Sequence, residues 1–235
     1  MAFDDQAVVR EQYASEANLQ ARKALWEGAE GSDAKEILWR TIETWEPRRV
    51  LEVGGGEGEL AERMQRELAA TVTFVDLSPR MVELARARGV DAQEGDVQRL
   101  PFADGSFDTV VSAWMLYHVP DLDAGLGEIA RVLVPGGALI AVTNSVDHIA
   151  ELRELLAYPP GAFELSFNSE NGEQHLRRHF SGIERFDSVV TATVREREKL
   201  VAYRDSVSVP AGEVPEDVEL PFVVHGRSTI FVATT

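Results

Sequence analysis

Hydrophobic and polar positions follow two patterns that alternate along the chain. Short apolar runs rich in β-branched residues, as at 50–53 and 71–75, are separated by longer segments in which apolar residues recur every three or four positions. Continuous apolar runs are typical of parallel strands covered on both faces, and the spaced pattern is typical of amphipathic helices. The pattern therefore predicts an α/β fold, a doubly wound and mostly parallel sheet with helices on both faces.

The pattern also gives approximate bounds for each element. The predicted strands are residues 49–53, 71–75, 90–94, 107–112, 138–142, 184–194 and 229–233. The predicted helices are residues 4–27, 33–46, 58–70, 79–88, 121–133, 148–157 and 196–206, with a short helix near 173–180. Glycines and prolines mark most of the boundaries, and the clearest break is Tyr158-Pro159-Pro160-Gly161.

These breaks divide the chain into four predicted parts. Residues 1–46 form an N-terminal helical cap, and residues 47–157 form a Rossmann-like core. Residues 158–182 lose the sheet pattern and are interpreted as an inserted lid, in which Phe163, Phe167 and Asn171 would line an acceptor pocket. Residues 183–235 supply the strands that complete the sheet.

The core is organised around one glycine-rich turn. The apolar run that ends at Val53 stops at Gly54-Gly55-Gly56, and a helix-forming sequence begins at Glu59. Such a turn lets the backbone approach a nucleotide-like ligand closely. A dinucleotide fingerprint would require a small residue at position 59, and carboxylates at Glu57 and Glu59 would repel a pyrophosphate at the helix start. We therefore expect a nucleoside ligand without phosphates.

An acidic residue follows the second strand of the core. Asp76 comes about twenty residues after the glycines, where a carboxylate can accept hydrogen bonds from ribose hydroxyls. Its alternative role is to cap a helix, but Ser78-Pro79 already provides a cap and a first-turn proline. We therefore interpret Asp76 as a ribose ligand.

Four motifs occur in order through this region: V-L-E-V-G-G-G-E-G, V-D-L-S-P-R-M, G-D-V-Q-R-L-P-F-A-D-G-S-F-D and L-V-P-G-G. Together they resemble the class I S-adenosylmethionine-dependent methyltransferases, in particular the small-molecule branch related to ubiquinone- and menaquinone-type enzymes. The resemblance covers residues 45–145. It implies S-adenosyl-L-methionine as cofactor, methyl transfer to a small-molecule acceptor (EC 2.1.1.-), and a seven-stranded sheet whose last strand is antiparallel.

The resemblance also implies roles for individual residues. Asp96 would accept from the adenine amine, the Val97 N–H would donate to an adenine ring nitrogen, and the Ala113 carbonyl would face the methionine amino group. Tyr13 would be a residue of the N-terminal cap over the ligand. The predicted cofactor site consists of Tyr13, Glu52, Gly54, Gly56, Asp76, Leu77, Asp96, Val97 and Ala113.

His118 is the candidate catalytic residue, because it lies near the expected mouth of the sheet and an imidazole titrates near neutral pH. A packing role for His118 is the alternative. Methyl transfer requires no metal ion and no nucleophilic side chain, so positioning and exclusion of water can supply most of the catalysis.

The composition excludes or disfavours several classes of binding partner. The 235 residues carry a formal net charge of −17, which disfavours nucleic acids and anionic membranes as partners. There is no cysteine, hence no disulfide or thiolate metal site, and no apolar run long enough to span a bilayer. The acidic N-terminus does not resemble a signal peptide, so the sequence predicts a cytoplasmic enzyme.

Two alternatives to a small-molecule methyltransferase stay open at this point. One is a nicotinamide-dependent oxidoreductase on a Rossmann sheet, against which the carboxylates at the helix start argue. The other is a non-enzymatic module that binds the cofactor. A nucleic-acid methyltransferase is disfavoured by the net charge.

Overall fold

The computed structural model describes residues 17–207 and 209–235, which form an α/β fold around an eight-stranded sheet. Tyr13 lies outside the described residues. The strands are β1 (Glu30–Gly31), β2 (Arg49–Val53), β3 (Thr71–Asp76), β4 (Asp91–Glu94), β5 (Phe107–Ala113), β6 (Leu133–Asn144), β7 (Gly182–Val194) and β8 (Phe222–Thr234). The helices are α1 (Ala17–Ala24), α2 (Ala34–Trp45), α3 (Glu59–Leu68), α4 (Pro79–Ala87), α5 (Leu122–Val132), α6 (Ala150–Leu155), α7 (Gly172–Leu176) and α8 (Arg197–Ser206).

The sheet has the order β1-β7-β8-β6-β5-β2-β3-β4. Strands β2 to β6 pair in parallel, whereas β8 runs antiparallel to both β6 and β7. The prediction of a doubly wound, mostly parallel sheet with an antiparallel last strand is confirmed. Chain direction places the carboxyl ends of β2, β3, β5 and β6 along one edge of the sheet, which is where open α/β sheets bind ligands.

The structure corrects the predicted strands at three places. The two-residue strand β1, which pairs with Thr191 and Val190 of β7, was not predicted and makes the sheet eight-stranded rather than seven-stranded. β8 begins at residue 222 rather than 229, because it pairs with β7 along the full length of both strands. Periodicity alone did not reveal this pairing, since residues 225–228 of β8 are His-Gly-Arg-Ser and interrupt its apolar pattern.

The third correction concerns β6, which begins at residue 133 rather than 138. It includes the Pro135-Gly136-Gly137 turn signal, and its register against β5 shifts between Phe107 and Thr109. A Cβ on Gly137 would lie 2.9 Å from the carbonyl oxygen of Asp108, so only glycine fits at this irregularity.

Buried apolar residues form a cluster on each face of the sheet. Helices α2, α3 and α4 cover one face around Ile42, Met64 and Phe74. Helix α5 and the segment around α7 cover the other face. A third cluster lies over β7 and β8, where α1, α6 and α8 meet around Leu25, Leu152 and Tyr203.

The predicted lid segment contributes residues both to the hydrophobic core and to the edge of the sheet where the cavity opens. Phe167 is fully buried, and its ring lies 5.9 Å from that of Phe231 in the core, so the expectation that it lines a pocket was wrong. Asn171 belongs to a local turn, in which its side-chain oxygen accepts from the backbone N–H of Asn168 at 2.8 Å. Only Phe163 of the three predicted lining residues lies at the cavity described below.

Candidate functional site

A cavity of about 800 Å³ opens along the edge of the sheet where β2, β3, β5 and β6 end. Strand β2 lies between β3 and β5, so the chain leaves β2 toward one side of the sheet and returns on the other. This is the topological switch point at which doubly wound sheets hold their ligands. The position of the cavity follows from the topology, and its chemistry follows from the residues at the strand ends.

The cavity gathers the predicted site residues that the structure describes. Its lining includes Glu52, Gly54, Gly56, Asp76, Leu77, Asp96, Val97, Ala113 and His118. These positions come from the ends of four strands and from the turns that follow them. Residues that are more than sixty positions apart in the sequence therefore lie together on one side of the cavity.

The glycine turn is tightly packed from beneath. Gly54 has a left-handed φ of 65°, and its N–H donates to the carbonyl oxygen of Val75 at 2.8 Å. A Cβ on Gly54 would lie 2.1 Å from Cγ of Met115. The first glycine is thus required by the backbone conformation and by the Met115 side chain as well as by access for a ligand.

Glu52 is a buried acid directly beneath the turn. Its side chain is 1% exposed, and within the described part of the chain its Oε2 atom has no hydrogen-bond partner. Burial raises the pKa of Glu52 to about 8, despite a hydrogen bond from the Ala61 N–H and with a further rise caused by Asp76. A cationic ligand would favour the ionised form, so Glu52 fits a site for a positively charged group.

Gly55→Ala should destabilise the protein by about 1–3 kcal/mol, because the new Cβ would overpack a buried site. That Cβ would lie 2.3 Å from the carboxyl carbon of Glu52. Chemical denaturation measures the loss. Gly127→Ala is the matched control, since Gly127, like Gly55, is not left-handed and a Cβ there would meet nothing closer than Cε1 of His179 at 3.7 Å. Glu52→Ala in the Gly55→Ala background should recover stability. Additive losses in the double variant would contradict the proposed clash.

Asp76 stands at the end of β3 with its carboxylate directed at the turn that follows. Its Oδ1 accepts from the Ser78 N–H at 2.8 Å, while Ser78 itself caps α4 through its hydroxyl. Burial raises the pKa of Asp76 to about 6, although the N–H groups of Ser78, Gly56 and Leu77 favour the ionised form. The helix cap is therefore independent of Asp76, as the sequence predicted, and the carboxylate is positioned by the backbone around it.

Asp96 follows β4 and is oriented by a residue that sequence reasoning missed. The Nε2 atom of Gln98 donates to both Asp96 oxygens, at 3.0 and 2.9 Å, and the Gln98 backbone N–H donates to Oδ1 at 2.9 Å. The Oε1 atom of Gln98 accepts in turn from the Asp121 N–H at 3.0 Å. Gln98 thereby ties the Asp96 turn to the start of α5. The D-x-Q spacing was the available signal.

The carboxylates at the start of α3 are neutralised, which corrects one argument from the sequence. The Nζ atom of Lys23 on α1 lies 2.9 Å from Glu57 and 3.0 Å from Glu59, and Arg88 lies 3.6 Å from Glu59. Burial acts to raise the pKa of Glu57, but the hydrogen bond and charge of Lys23 outweigh it and hold the pKa below its ordinary value. Repulsion of a phosphate at this helix start is therefore weaker than two free carboxylates would produce.

The opposite half of the cavity is lined by aromatic and cationic side chains. Trp26 follows α1, Arg153 belongs to α6 and Tyr203 to α8, and all three line the cavity. Trp114, directly after β5, has a left-handed φ of 55°, and its Nε1 donates to Oδ1 of Asn144 at 3.0 Å. A non-glycine residue held in this conformation at a strand end is a common feature of functional sites.

Two histidines line the cavity. His118 belongs to a 3₁₀ turn, Leu116–His118, and is 6% exposed with its ring 4.6 Å from that of Tyr117. His148 lies 5.6 Å from the Trp26 ring, with Nδ1 held against the backbone of Arg227. Burial lowers the pKa of His148 to about 4, so this imidazole is neutral near pH 7.

A family model described as "Methyltransferase domain" matches residues 51–141. Residues 51–141 form a class I methyltransferase domain.

Curated proteins that are similar to this chain are named as methyltransferases. A demethylmenaquinone methyltransferase of Thermus thermophilus is 36% identical over 128 residues, which cover 52% of this chain and 53% of that protein. A ubiquinone biosynthesis O-methyltransferase of Xanthomonas oryzae is 45% identical over 102 residues, covering 40% of this chain and 42% of that protein. The chain thus spans about half the length of the curated relatives that it matches.

The fold of the chain also has a counterpart among solved structures. The YcgJ protein of Bacillus subtilis superimposes with a TM-score of 0.62 at 19% identity, covering 86% of this chain and 98% of that one. At this identity the likeness shows the fold alone. The dinucleotide alternative gains no support from these matches.

The boundaries of the methyltransferase domain separate two kinds of site residue. Every described residue predicted for the cofactor, and His118, lies within residues 51–141. Trp26, His148, Arg153 and Tyr203 lie outside it and come from three segments: the turn after α1, α6 with the turn before it, and α8. Sequence motifs identify the residues within 51–141, whereas the residues outside this range are recognised only from the three-dimensional structure.

Two further properties concern the described residues as a whole. Among residues 17–207 and 209–235, no cluster of three or more histidine, aspartate or glutamate side chains could hold a metal ion. Over the same ranges, the methyltransferase domain and its flanking segments contain no helix with the length and hydrophobicity required to cross a bilayer.

Proposed function

We propose that this protein transfers a methyl group from S-adenosyl-L-methionine to a small-molecule acceptor. One observation supports this most strongly: the glycine turn, Asp76 and Asp96 follow three adjacent strands and line one cavity at the switch point of the sheet. Three ligand-facing elements in that order suit a nucleoside with an extended cationic substituent. When bound, the cofactor supplies a methyl group on a sulfonium sulfur that a nucleophilic atom of the acceptor can displace.

The residues present fit this cofactor. Asp76 would accept from the ribose hydroxyls, because an ionised carboxylate can receive two such hydrogen bonds. Asp96 and the backbone of Val97 would contact adenine. Glu52, whose Oε2 atom has no partner among the described residues, would compensate positive charge at the methionine end. A Cβ on Gly56 would meet nothing closer than Cδ2 of Leu19 at 3.6 Å, so the turn leaves space for a ligand at Gly56.

The chain's own contribution to the reaction is positioning and exclusion of water. Helix α1 lies against the glycine turn, with Cδ2 of Leu19 3.6 Å from the place where a Cβ on Gly56 would stand. The segment containing Phe163 approaches the cavity from the other side. Ligands enclosed between these segments would react with little competition from solvent. The role of residues 158–182 as a lid, Tyr13 as a residue of the cap, and a cytoplasmic location stay predictions.

His118 is proposed as the group that accepts a proton from an acceptor hydroxyl or amine. It lies in the turn that follows β5, between the cofactor half and the aromatic half of the cavity. General base catalysis commonly contributes about 100-fold to 10,000-fold in rate. His148 is the matched comparison, since it also lines the cavity but has Nδ1 engaged with the backbone.

His118→Asn should therefore lower the single-turnover rate at least ~100-fold while leaving cofactor affinity unchanged. His148→Asn should mainly raise the KM for the acceptor. Quenched-flow measurement with an acceptor identified by metabolite screening separates the two effects. A larger rate loss in His148→Asn would assign the base to His148 instead, and small losses in both would leave catalysis to positioning.

The proposed activity is tested by incubating the protein with S-adenosylmethionine labelled in the methyl group and with a metabolite extract. Labelled products and S-adenosylhomocysteine should form with wild-type protein and be lost with Asp76→Ala. Calorimetry with S-adenosylhomocysteine is the parallel measurement. Absence of cofactor binding by the folded protein would refute the proposal, whereas binding without turnover of any acceptor would favour the non-enzymatic module.

A further inference from the structure

The cavity extends well beyond the residues that would hold the cofactor. Its lining runs from Asp96 after β4 to Val190 on β7, and these strands are six positions apart in the sheet. At about 4.8 Å between neighbouring strands, this span is on the order of 25–30 Å. The cofactor residues account for the half over β2, β3 and β4. The half over β6, β8 and β7 is therefore available to a second ligand.

The two halves differ in charge. Glu52, Asp76 and Asp96 line the cofactor half, together with Lys23 and Arg63, whereas Arg153 lines the other half. Two acidic residues that also line the cavity are engaged elsewhere: Glu27 pairs with Lys199 at 3.1 Å, and Asp33 caps α2. The charge distribution favours an anionic group at this end.

Arg153 is fixed in place without a carboxylate partner. Its Nη2 atom donates to the backbone carbonyl of Val146, and its guanidinium carbon lies 5.6 Å from the centroid of the Phe163 ring. Across the residues that the structure describes, Arg153 forms no ion pair with an aspartate or glutamate. Its remaining N–H groups form a planar set of donors suited to a carboxylate.

Aromatic side chains line the same cavity as this guanidinium. Trp26 lies beside His148, and Gly226 gives the Trp26 ring its space, because a Cβ there would stand 2.8 Å from a ring carbon. The Tyr203 hydroxyl interacts electrostatically with both Arg22 and Arg153. Burial raises the pKa of Tyr203, so the phenol stays protonated and can donate a hydrogen bond. Flat apolar walls with a cation and a hydroxyl at one end suit a planar ring that bears an acid.

We propose that the methyl acceptor is a small aromatic carboxylic acid, whose carboxylate binds Arg153 beside the Tyr203 hydroxyl and whose ring packs against Trp26 and Phe163. This inference rests on the proposed methyltransferase function and adds the chemical class of the acceptor. Arg153 is a specificity residue in this assignment. It acts on acceptor binding and leaves the cofactor half untouched.

The test compares acids with neutral analogues of the same shape. Benzoate, salicylate and para-hydroxybenzoate are titrated into the protein saturated with S-adenosylhomocysteine, and their primary amides are titrated in parallel. At least one acid should bind ~10-fold or more tightly than its amide, the size expected for one charge-assisted contact. Arg153→Gln should reduce this preference to within about 2-fold, and Arg153→Lys should retain part of it because the charge remains.

Arg177→Gln is the matched control, because Arg177 is exposed on the last turn of the α7 segment and pairs with Glu173. It should keep the full preference, and S-adenosylhomocysteine affinity should be unchanged in all three variants. Equal binding of acids and amides, binding of neither, or a preference that survives Arg153→Gln would each overturn the inference while leaving the proposed function intact. Failure of the wild-type protein to bind S-adenosylhomocysteine would remove the proposed function, and this inference with it.

Discussion

Asp76→Ala should lower the affinity for S-adenosylhomocysteine by roughly 10-fold to 100-fold, the loss expected when charge-assisted hydrogen bonds to a diol are removed. The carboxylate stands at the end of β3 and is oriented by backbone N–H groups, so its removal should leave the turn in place. Ser78 continues to cap α4 in the variant, because its hydroxyl accepts from Met81 independently of Asp76. Calorimetry at fixed pH measures the loss.

The same carboxylate should make cofactor binding dependent on pH. Burial raises the pKa of Asp76 to about 6 in the free protein, and the ionised carboxylate accepts hydrogen bonds from ribose hydroxyls more strongly than the protonated acid does. Affinity should therefore be full above about pH 6 and fall as the pH drops through that value. Asp76→Asn should remove this dependence. Asp91→Ala, at the exposed start of β4, is the matched control, and an Asp76→Ala affinity equal to that of the control would mean that the ribose is held elsewhere.

Glu52→Gln should stabilise the free protein at neutral pH by roughly 2 kcal/mol, because it replaces an acid that is costly to ionise in its buried position. The pKa of Glu52 rises from its ordinary value of 4.5 to about 8 in the folded protein. The wild-type protein therefore loses stability as the pH rises from 4.5 toward 8, and this loss is absent below 4.5, where the carboxyl is protonated in both the folded and the unfolded state. Denaturant titrations across this pH range measure the effect.

The wild-type and Glu52→Gln curves should converge near the low end of that range and separate progressively toward the high end. Glu43→Gln, on the exposed face of α2, should follow the wild-type curve throughout. Glu52→Gln should also weaken binding of a cationic ligand, since the variant cannot ionise. Parallel wild-type and Glu52→Gln curves would show that Glu52 is ionised or solvated in the free protein.

The residues of the proposed cofactor half of the cavity could be predicted because the sequence patterns that indicate them are local. A strand, a glycine turn and a helix start are adjacent in sequence, and Asp76 and Asp96 each end a strand of the same parallel unit. The rule that parallel strands share one carboxyl edge then brings them together without knowledge of tertiary contacts. The burial of Glu52 beneath the turn also follows from its place within the apolar run, although its unpartnered oxygen does not.

The residues of the other half of the cavity, where we propose that the acceptor binds, could not be predicted, because their positions depend on pairing between strands that are distant in sequence. β7 and β8 are joined in register over residues 182–194 and 222–234, and this pairing brings Gly226 to Trp26 and places α8 beside α1. Aromatic spacing alone suggested that Phe167 was a pocket residue, but this ring fills the core against Phe231. The sequence places Tyr203 within the predicted helix 196–206 without indicating a role for it, and only the fold shows that its hydroxyl interacts with two guanidiniums.

The ion pairs of Lys23 have a consequence for the exchange of ligands. Lys23 forms ion pairs with Glu57 and Glu59 at the start of α3, and Gln20 donates a hydrogen bond to Glu57 at 3.0 Å. These contacts hold α1 against the glycine turn. Departure of a ligand from the proposed site beneath α1 would require these ion pairs to break. Because partly exposed ion pairs are screened by salt, the dwell time of the spent cofactor should shorten as ionic strength rises, even where its equilibrium contacts with Asp76 and Asp96 are unaffected. The pace of turnover in this protein would then be set by the ionic composition of its surroundings as well as by the acceptor.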